Sequence, residues 1–308
     1  MKKILPKMAL ALLPVVLYLA FFIAFEPNNY FGLRRETNGN SPIARIRAYQ
    51  QKPQNHIILG DSRMAHFNMS LVESTAGAPY ANVAYGGASL EESIDEFYYL
   101  YGQNPSIEKV VFGLSFYTLN NNYRTKNRME MLETQLKNPA AYVFNLEYNI
   151  NALTVFGDKL RGAPDVEETA EHTPEEYVDE TGNPLPFRKN LMDYADTITP
   201  VCKNYAVNEK ALKKLLSMLD FCAEKGVSVT LVFPPMDESV RKLVCEPLGI
   251  DKAMQPVLKT LKNSGAQVLD YEWETVPDYK DTQYYDGFHL DTKYGLPIWT
   301  KTLFSEVK

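Results

Sequence analysis

Three cysteines and four histidines among 308 residues leave little material for a metal centre, and the cysteines lack ligand-like spacing. No glycine-rich, phosphate-cradling loop occurs, so neither metal nor cofactor is expected. Cys222 falls on the apolar face of a predicted helix and reads as core. A Cys202–Cys245 disulfide would be permitted outside the cell, but an odd cysteine count gives it little support. Positive charge is also scarce: 32 Lys and Arg face 38 Asp and Glu, for a formal charge of −6. Setting aside Lys2, Lys3 and Lys7, the remainder carries 29 basic against 38 acidic residues, or −9. That balance argues against nucleic acid as a partner and offers no attraction to polyanions.

One long hydrophobic run is present. Met8 to Phe25 is uncharged, follows three lysines and is closed by Glu26 and Pro27. Eighteen residues span about 27 Å as helix, close to a bilayer's hydrocarbon thickness. Phe22-Ile23-Ala24-Phe25 makes a poor cleavage site, so the expectation is an uncleaved N-terminal transmembrane helix over residues 1–27. Basic residues before it predict a cytoplasmic N-terminus, a single pass through the cell membrane and an extracytoplasmic main domain, although Arg34 and Arg35 weaken that orientation. Residues 28–53 read as a polar linker.

From residue 54 onward, apolar strands alternate with helical periodicity. His56–Leu59, Tyr80–Ala84, Lys109–Phe116, Val227–Phe233 and Gln267–Tyr271 read as five strands. Helices are predicted over Ala88–Tyr101, from an Asn208 cap to Lys225, over Asp251–Ser264, and from an Asp291 cap to Phe304. Continuously apolar strands separated by helices mean a mostly parallel five-stranded sheet in a three-layer α/β/α domain over 54–308. Residues 125–205 break the alternation. Their first half is partly helical, and Asp165–Glu180 carries eight acidic residues and no Lys or Arg, so the segment reads as an exposed insertion.

Two short segments carry chemistry. Ile57-Ile58-Leu59-Gly60-Asp61-Ser62-Arg63 is a buried strand with a serine at its tip, and sites in open α/β sheets form beyond the carboxyl ends of strands. Asp286-Gly287-Phe288-His289 supplies an acid and an imidazole three residues apart. A hydroxyl becomes nucleophilic when a base takes its proton, and an imidazole serves best when a carboxylate fixes its tautomer. Ser62, His289 and Asp286 are therefore the candidate catalytic residues. Read locally, Ser62 or Asp61 could equally be a helix cap. His66 reads as a surface or packing residue, His56 opens a strand and His172 lies in the acidic insertion. Phe116, Tyr117 and Tyr123 could form a sugar-stacking platform or belong to the core.

These blocks resemble the SGNH (GDSL-like) hydrolase superfamily, whose flavodoxin-like domain carries the nucleophile in a GDS-type first block and Asp and His in a DxxH last block. Gly60-Asp61-Ser62 and Asp286-Gly287-Phe288-His289 match these blocks. Asn82-Val83-Ala84-Tyr85-Gly86-Gly87-Ala88-Ser89 looks like the second block. The resemblance implies an oxyanion hole made by the backbone N–H groups of Ser62 and of Gly86 or Gly87. The family's third block, Gly-x-Asn-Asp, is absent. Gly113-Leu114-Ser115-Phe116 stands there, and Asn120, Asn121 and Asn122 are the possible replacement donors. This departure and the apolar N-terminus are similar to the DltD-type and AlgJ/AlgX-like branch. That likeness implies O-acylation (acetyl or D-alanyl) of a cell-envelope polysaccharide or teichoic acid, beside a membrane-bound O-acyltransferase. A stand-alone carbohydrate or lipid esterase and a non-catalytic anchored subunit are the alternatives.

Overall fold

The computed structural model describes residues 5–33, 41–123, 127–162 and 187–308. The chain divides into two compact units, one of Met1–Gln51 with Arg128–Glu168 and one of Lys52–Asn127 with Thr169–Lys308.

The second unit contains the sheet. Its strands are β1 (His56–Leu59), β2 (Ala81–Asn82), β3 (Lys109–Gly113), β4 (Ser228–Phe233) and β5 (Gln267–Asp270). All neighbours pair in parallel in the order β2-β1-β3-β4-β5, with Ile57 opposite both Ala81 and Val110, Val111 opposite Thr230 and Leu231 opposite Val268. Ile57, Ile58, Leu59, Val111, Leu231, Val232 and Phe233 are fully buried, as expected for strands covered on both faces. After β1 the chain steps outward to β2, then returns across β1 to β3. Right-handed crossovers therefore place the helix before β2 on the opposite face from those before β3, β4 and β5. The packing agrees. Helix Met69–Ala76 lies against Leu296–Glu306, and Leu90–Gln103 lies against Glu209–Lys225. The reversal of direction between β1 and β3 opens a crevice at their carboxyl ends, where such sheets bind ligands.

Local signals account for most helix boundaries. Ser89 and Glu92 form a reciprocal capping box for Leu90–Gln103. Asn208 caps Glu209–Lys225 through the Ala211 N–H, and Gly226 ends it in the left-handed conformation. Asp291 is fully buried, and its side chain accepts from the N–H groups of Lys293 and Tyr294. It thus organises a turn rather than capping the last helix, which begins at Leu296.

The first unit is helical among its described residues. The stretch expected to be linker contains helix Pro42–Gln51, whose Ile43, Ala44, Ile46 and Tyr49 are buried. The stretch expected to be an exposed insertion supplies helices Met129–Lys137, Pro139–Val143 and Leu146–Arg161. Helix Phe187–Cys202, from the far end of the same stretch, belongs to the sheet unit. The acidic run Asp165–Glu180 and His172 lie outside the described residues.

The expected transmembrane helix is not supported. Leu5–Phe25 does form one helix, but among the described residues no helix is long and apolar enough to cross a membrane. From Tyr18 onward this helix packs within its own unit. Tyr18 Oη donates to Val143 O (2.9 Å) and lies 3.0 Å from Asn149 Oδ1, Phe22 is fully buried edge-on to Tyr142, and Phe21 and Phe25 meet Phe156. The exposed apolar run left over, Leu10–Leu17, is about 12 Å long as helix, against a hydrocarbon core of about 30 Å.

Candidate active site

The crevice between β1 and β3 is built by close backbone approach. Gly60 ends β1 with φ +138°, and a side chain there would press on Met64 and on Gly113 O at 3.0 Å. Beyond it, Asp61 caps a short 3₁₀ turn, Ser62–Met64, by accepting from the Arg63 N–H (3.0 Å). Asp61 is therefore the cap. Ser62 is the first residue of the turn and is left half-buried at its lip.

The DxxH segment is a tight loop after β5. Tyr284 and Leu290 pair across it, and the Tyr285 N–H donates to His289 O (2.8 Å). Gly287 lies so close to Val240 that an added Cβ would sit 2.6 Å from its methyl group, and Gly287 O accepts from the Asp237 N–H. Phe288 is buried between Phe116 and Tyr117, which fixes the loop from below. Helix Glu238–Cys245, on which the loop leans, was not expected from the sequence, because Pro234-Pro235 masks its start.

These two segments meet. Ser62 Oγ lies 2.8 Å from His289 Nε2, and Asp286 Oδ2 and Oδ1 lie 2.9 and 3.0 Å from His289 Nδ1. Asp286 Oδ1 also accepts the backbone N–H groups of Phe288 (2.7 Å) and His289 (2.8 Å), which orients the carboxyl group. With Asp286 as acceptor, Nδ1 carries the ring proton and the Nε2 lone pair faces the Ser62 hydroxyl. Asp286 is buried, while the His289 side chain keeps 17% of its surface exposed, so the imidazole borders solvent.

The second block lies beside the serine. A Cβ on Gly86 would sit 3.9 Å from Ser62 Cβ, and Gly86 and Gly87 are both exposed. The Tyr85 N–H donates to Gly60 O (3.3 Å), tying this loop to the end of β1. Asn82 Nδ2 donates to Met64 O and Ala65 O, holding the 3₁₀ turn from the other side. Of the asparagines proposed as a third donor, Asn120 and Asn122 have their side-chain amides engaged elsewhere. Asn120 Nδ2 donates to Val201 O and Asn122 Nδ2 to Asn204 O, while the Asn121 N–H donates to Ala206 O. They staple the loop after β3 to residues 201–206. Phe116 and Tyr117 are buried rather than arrayed as a stacking platform, and Tyr123 alone of that trio is partly exposed.

Sequence reasoning missed the polar network under Ser62. Tyr117 Oη donates to Asp61 Oδ2 at 2.6 Å. The Arg63 side chain, 1% exposed, donates to Glu272 Oε1 (3.0 Å) and to Pro234 O (2.6 Å). Burial lifts the Glu272 carboxyl to about 7, against the opposing pull of Arg63. Burial disfavours the Arg63 charge, but Glu272, Tyr117 and Asp61 outweigh it and hold the guanidinium protonated. An arginine directly after a candidate nucleophile was the visible clue; its partner, 209 positions away, gave none. Among the described residues no cluster of His, Cys, Asp and Glu could hold a metal ion, and the three cysteines are buried free thiols. Burial raises all three, Cys202 and Cys222 to about 12.

No protein-family model and no curated protein matches the sequence. Among solved structures, the chain is similar to a Bacteroides fragilis protein described as a candidate acylhydrolase. That likeness has 10% identity and a TM-score of 0.41, over 89% of this chain and 98% of that one. A likeness this slight carries no functional argument.

Proposed function

We propose that this protein is a serine esterase of the SGNH type, acting on acyl esters through a covalent acyl-Ser62 intermediate. The observation that supports this most is the unbroken relay from Asp286 through His289 to Ser62, with contacts of 2.9 and 2.8 Å. His289 Nε2 takes the hydroxyl proton as Ser62 Oγ bonds to the ester carbonyl carbon. The carbonyl oxygen gains the negative charge, and the N–H groups of Ser62 and of Gly86 or Gly87 are the donors assigned to receive it in this reading. On collapse the C–O bond to the alcohol breaks, and His289 returns the proton to the departing oxygen. Water, deprotonated by His289, then cleaves the acyl-serine and regenerates the enzyme. The partial exposure of Ser62 and His289 lets water reach the intermediate, which favours hydrolysis.

The second reading keeps the same first half and replaces water by a polymer hydroxyl, giving O-acylation of a cell-envelope polysaccharide or teichoic acid beside a membrane-bound O-acyltransferase. It rests on the resemblance, together with exposed Gly86 and Gly87 that leave room for a bulky acceptor. Purified protein given an aryl acetate tests both. Turnover that disappears in Ser62→Ala while folding is unchanged supports the esterase. Burst release of one equivalent, followed by turnover only on adding a polysaccharide acceptor, supports transfer. No acylation of Ser62 by any ester rejects both and leaves a non-catalytic role.

A further inference from the structure

We infer that Tyr117 is a positioning residue for Ser62, acting through Asp61 in the place where related sheets carry their third block. The inference rests on the serine-nucleophile reading above and deepens it. Asp61 is 4% exposed, and both of its carboxyl oxygens are engaged. Oδ1 accepts the Arg63 N–H and Oδ2 accepts the Tyr117 phenol. The ring closed by the first of these bonds contains the peptide unit between Asp61 and Ser62. That unit carries the Ser62 N–H, one of the two donors assigned to the oxyanion. Its tilt follows the backbone torsions of Asp61 and Ser62, and the Arg63 bond alone would let the Asp61 carboxyl group swing about its side-chain torsions. The Tyr117 bond removes that freedom. It anchors the carboxyl group to the segment after β3, across the crevice from β1.

Tyr117 suits a constant donor. Its ring is held against Phe116, Tyr123 and Phe288, which fixes the direction of the hydroxyl. Burial, reinforced by Asp61, keeps the phenol protonated well beyond its ordinary range, so it remains a donor. Tyr117 touches no reacting atom in this scheme. It fixes the angle at which one oxyanion donor is presented, a property that matters in the transition state more than in substrate binding.

The test uses the full chain, a fluorophosphonate probe for Ser62 and an aryl acetate. Tyr117→Phe removes only the hydroxyl. Labelling rate and kcat should each fall about tenfold, with KM changed less than twofold, at temperatures well below melting; tenfold is the effect of one weakened hydrogen bond in the transition state. Adding Tyr117→Phe to Asp61→Ala should produce less than a twofold further loss, because the two act through one bond. A purely structural role would lower the melting temperature and leave kcat intact, which overturns the inference, as does a full multiplicative loss in the double variant. Asp61→Ala removes the same bond from the other side together with the Arg63 N–H bond, so an unchanged kcat there overturns the inference even where Tyr117→Phe does not fold. Wild-type protein unlabelled at Ser62 would sink the esterase reading and this inference together. Normal labelling of both wild type and Tyr117→Phe sinks this inference alone.

Discussion

Each unit of this protein buries a carboxyl group on a ladder of hydrogen bonds, and the two ladders end differently. In the sheet unit, Asp286 accepts two backbone N–H groups and faces His289, whose other nitrogen meets the Ser62 hydroxyl at a partly exposed edge. In the helical unit, Glu26 is 2% exposed and accepts the Asn28 N–H (2.8 Å) and the Tyr142 hydroxyl (2.7 Å), and Tyr142 stacks on Tyr30 at 4.0 Å. This ladder runs on through Asn28 Oδ1 to the partly exposed Ser41 hydroxyl, with no imidazole among these residues. Burial of a carboxyl group therefore does not mark a site. The informative property is whether the ladder brings a base to the hydroxyl at its edge, as His289 does for Ser62.

The largest expected effect breaks that comparison on the sheet side. Asp286→Asn should preserve the loop, since the amide oxygen still accepts the backbone N–H groups, but it no longer stabilises the imidazolium or selects the tautomer. The rate of Ser62 acylation should fall by about 10⁴, with little change in melting temperature. A variant that unfolds while retaining its rate per folded molecule would place Asp286 in the same class as Glu26.

Glu272 sharpens the contrast, because it is a third buried carboxyl group and lies beneath the site rather than in it. Its folded value near 7 stands above its ordinary 4.5. Between these values the folded protein holds a proton that the unfolded chain has released. Stability from this group is fully present below about 4.5 and is lost as pH rises through 7, by up to about 3 kcal/mol. Urea unfolding across that range should show the decline in wild type and a flatter profile in Glu272→Gln. Identical profiles would show that Arg63 keeps the Glu272 carboxyl ionised throughout.

The strands and the three-residue Asp–His spacing were legible in the sequence because they depend on neighbours in the chain. His56–Leu59 and the helix to Lys225 follow directly from apolar runs, caps and a terminal glycine. The N-terminal run was misread for the opposite reason. Phe21, Phe22 and Phe25 have the composition of lipid-facing residues, yet the aromatic surface they meet comes from Tyr142 and Phe156, more than a hundred residues later. Helix Pro42–Gln51 was hidden similarly: its four buried residues lie among arginines and glutamines that made the stretch look like linker. The bonds from Tyr117 to Asp61 and from Arg63 to Glu272 were invisible because each joins loops that only the sheet order brings together.

The same distinction sets the smaller effects in the helical unit. Glu26→Gln keeps the shape, and its amide oxygen still accepts the Asn28 N–H and the Tyr142 hydroxyl, which both bond one carboxyl oxygen. What is lost is the charge that strengthens the two bonds, for about 2 kcal/mol. Tyr142→Phe is the gentlest break. The ring remains fully buried against Tyr30, Phe22 and Tyr148, so its packing survives. What disappears is one hydroxyl that donates to Glu26 and accepts from Asn28 Nδ2 at 3.1 Å. Glu26 keeps its bond from the Asn28 N–H, and Asn28 Nδ2 loses its phenol acceptor. The expected loss is about 1–2 kcal/mol in chemical denaturation, read as a lower midpoint with an unchanged slope. Because Tyr142, Glu26 and Asn28 all belong to the helical unit and Ser62 to the sheet unit, Ser62 labelling in folded Tyr142→Phe should match wild type. A slower label at full foldedness would mean that the helical ladder, too, reaches the reactive edge.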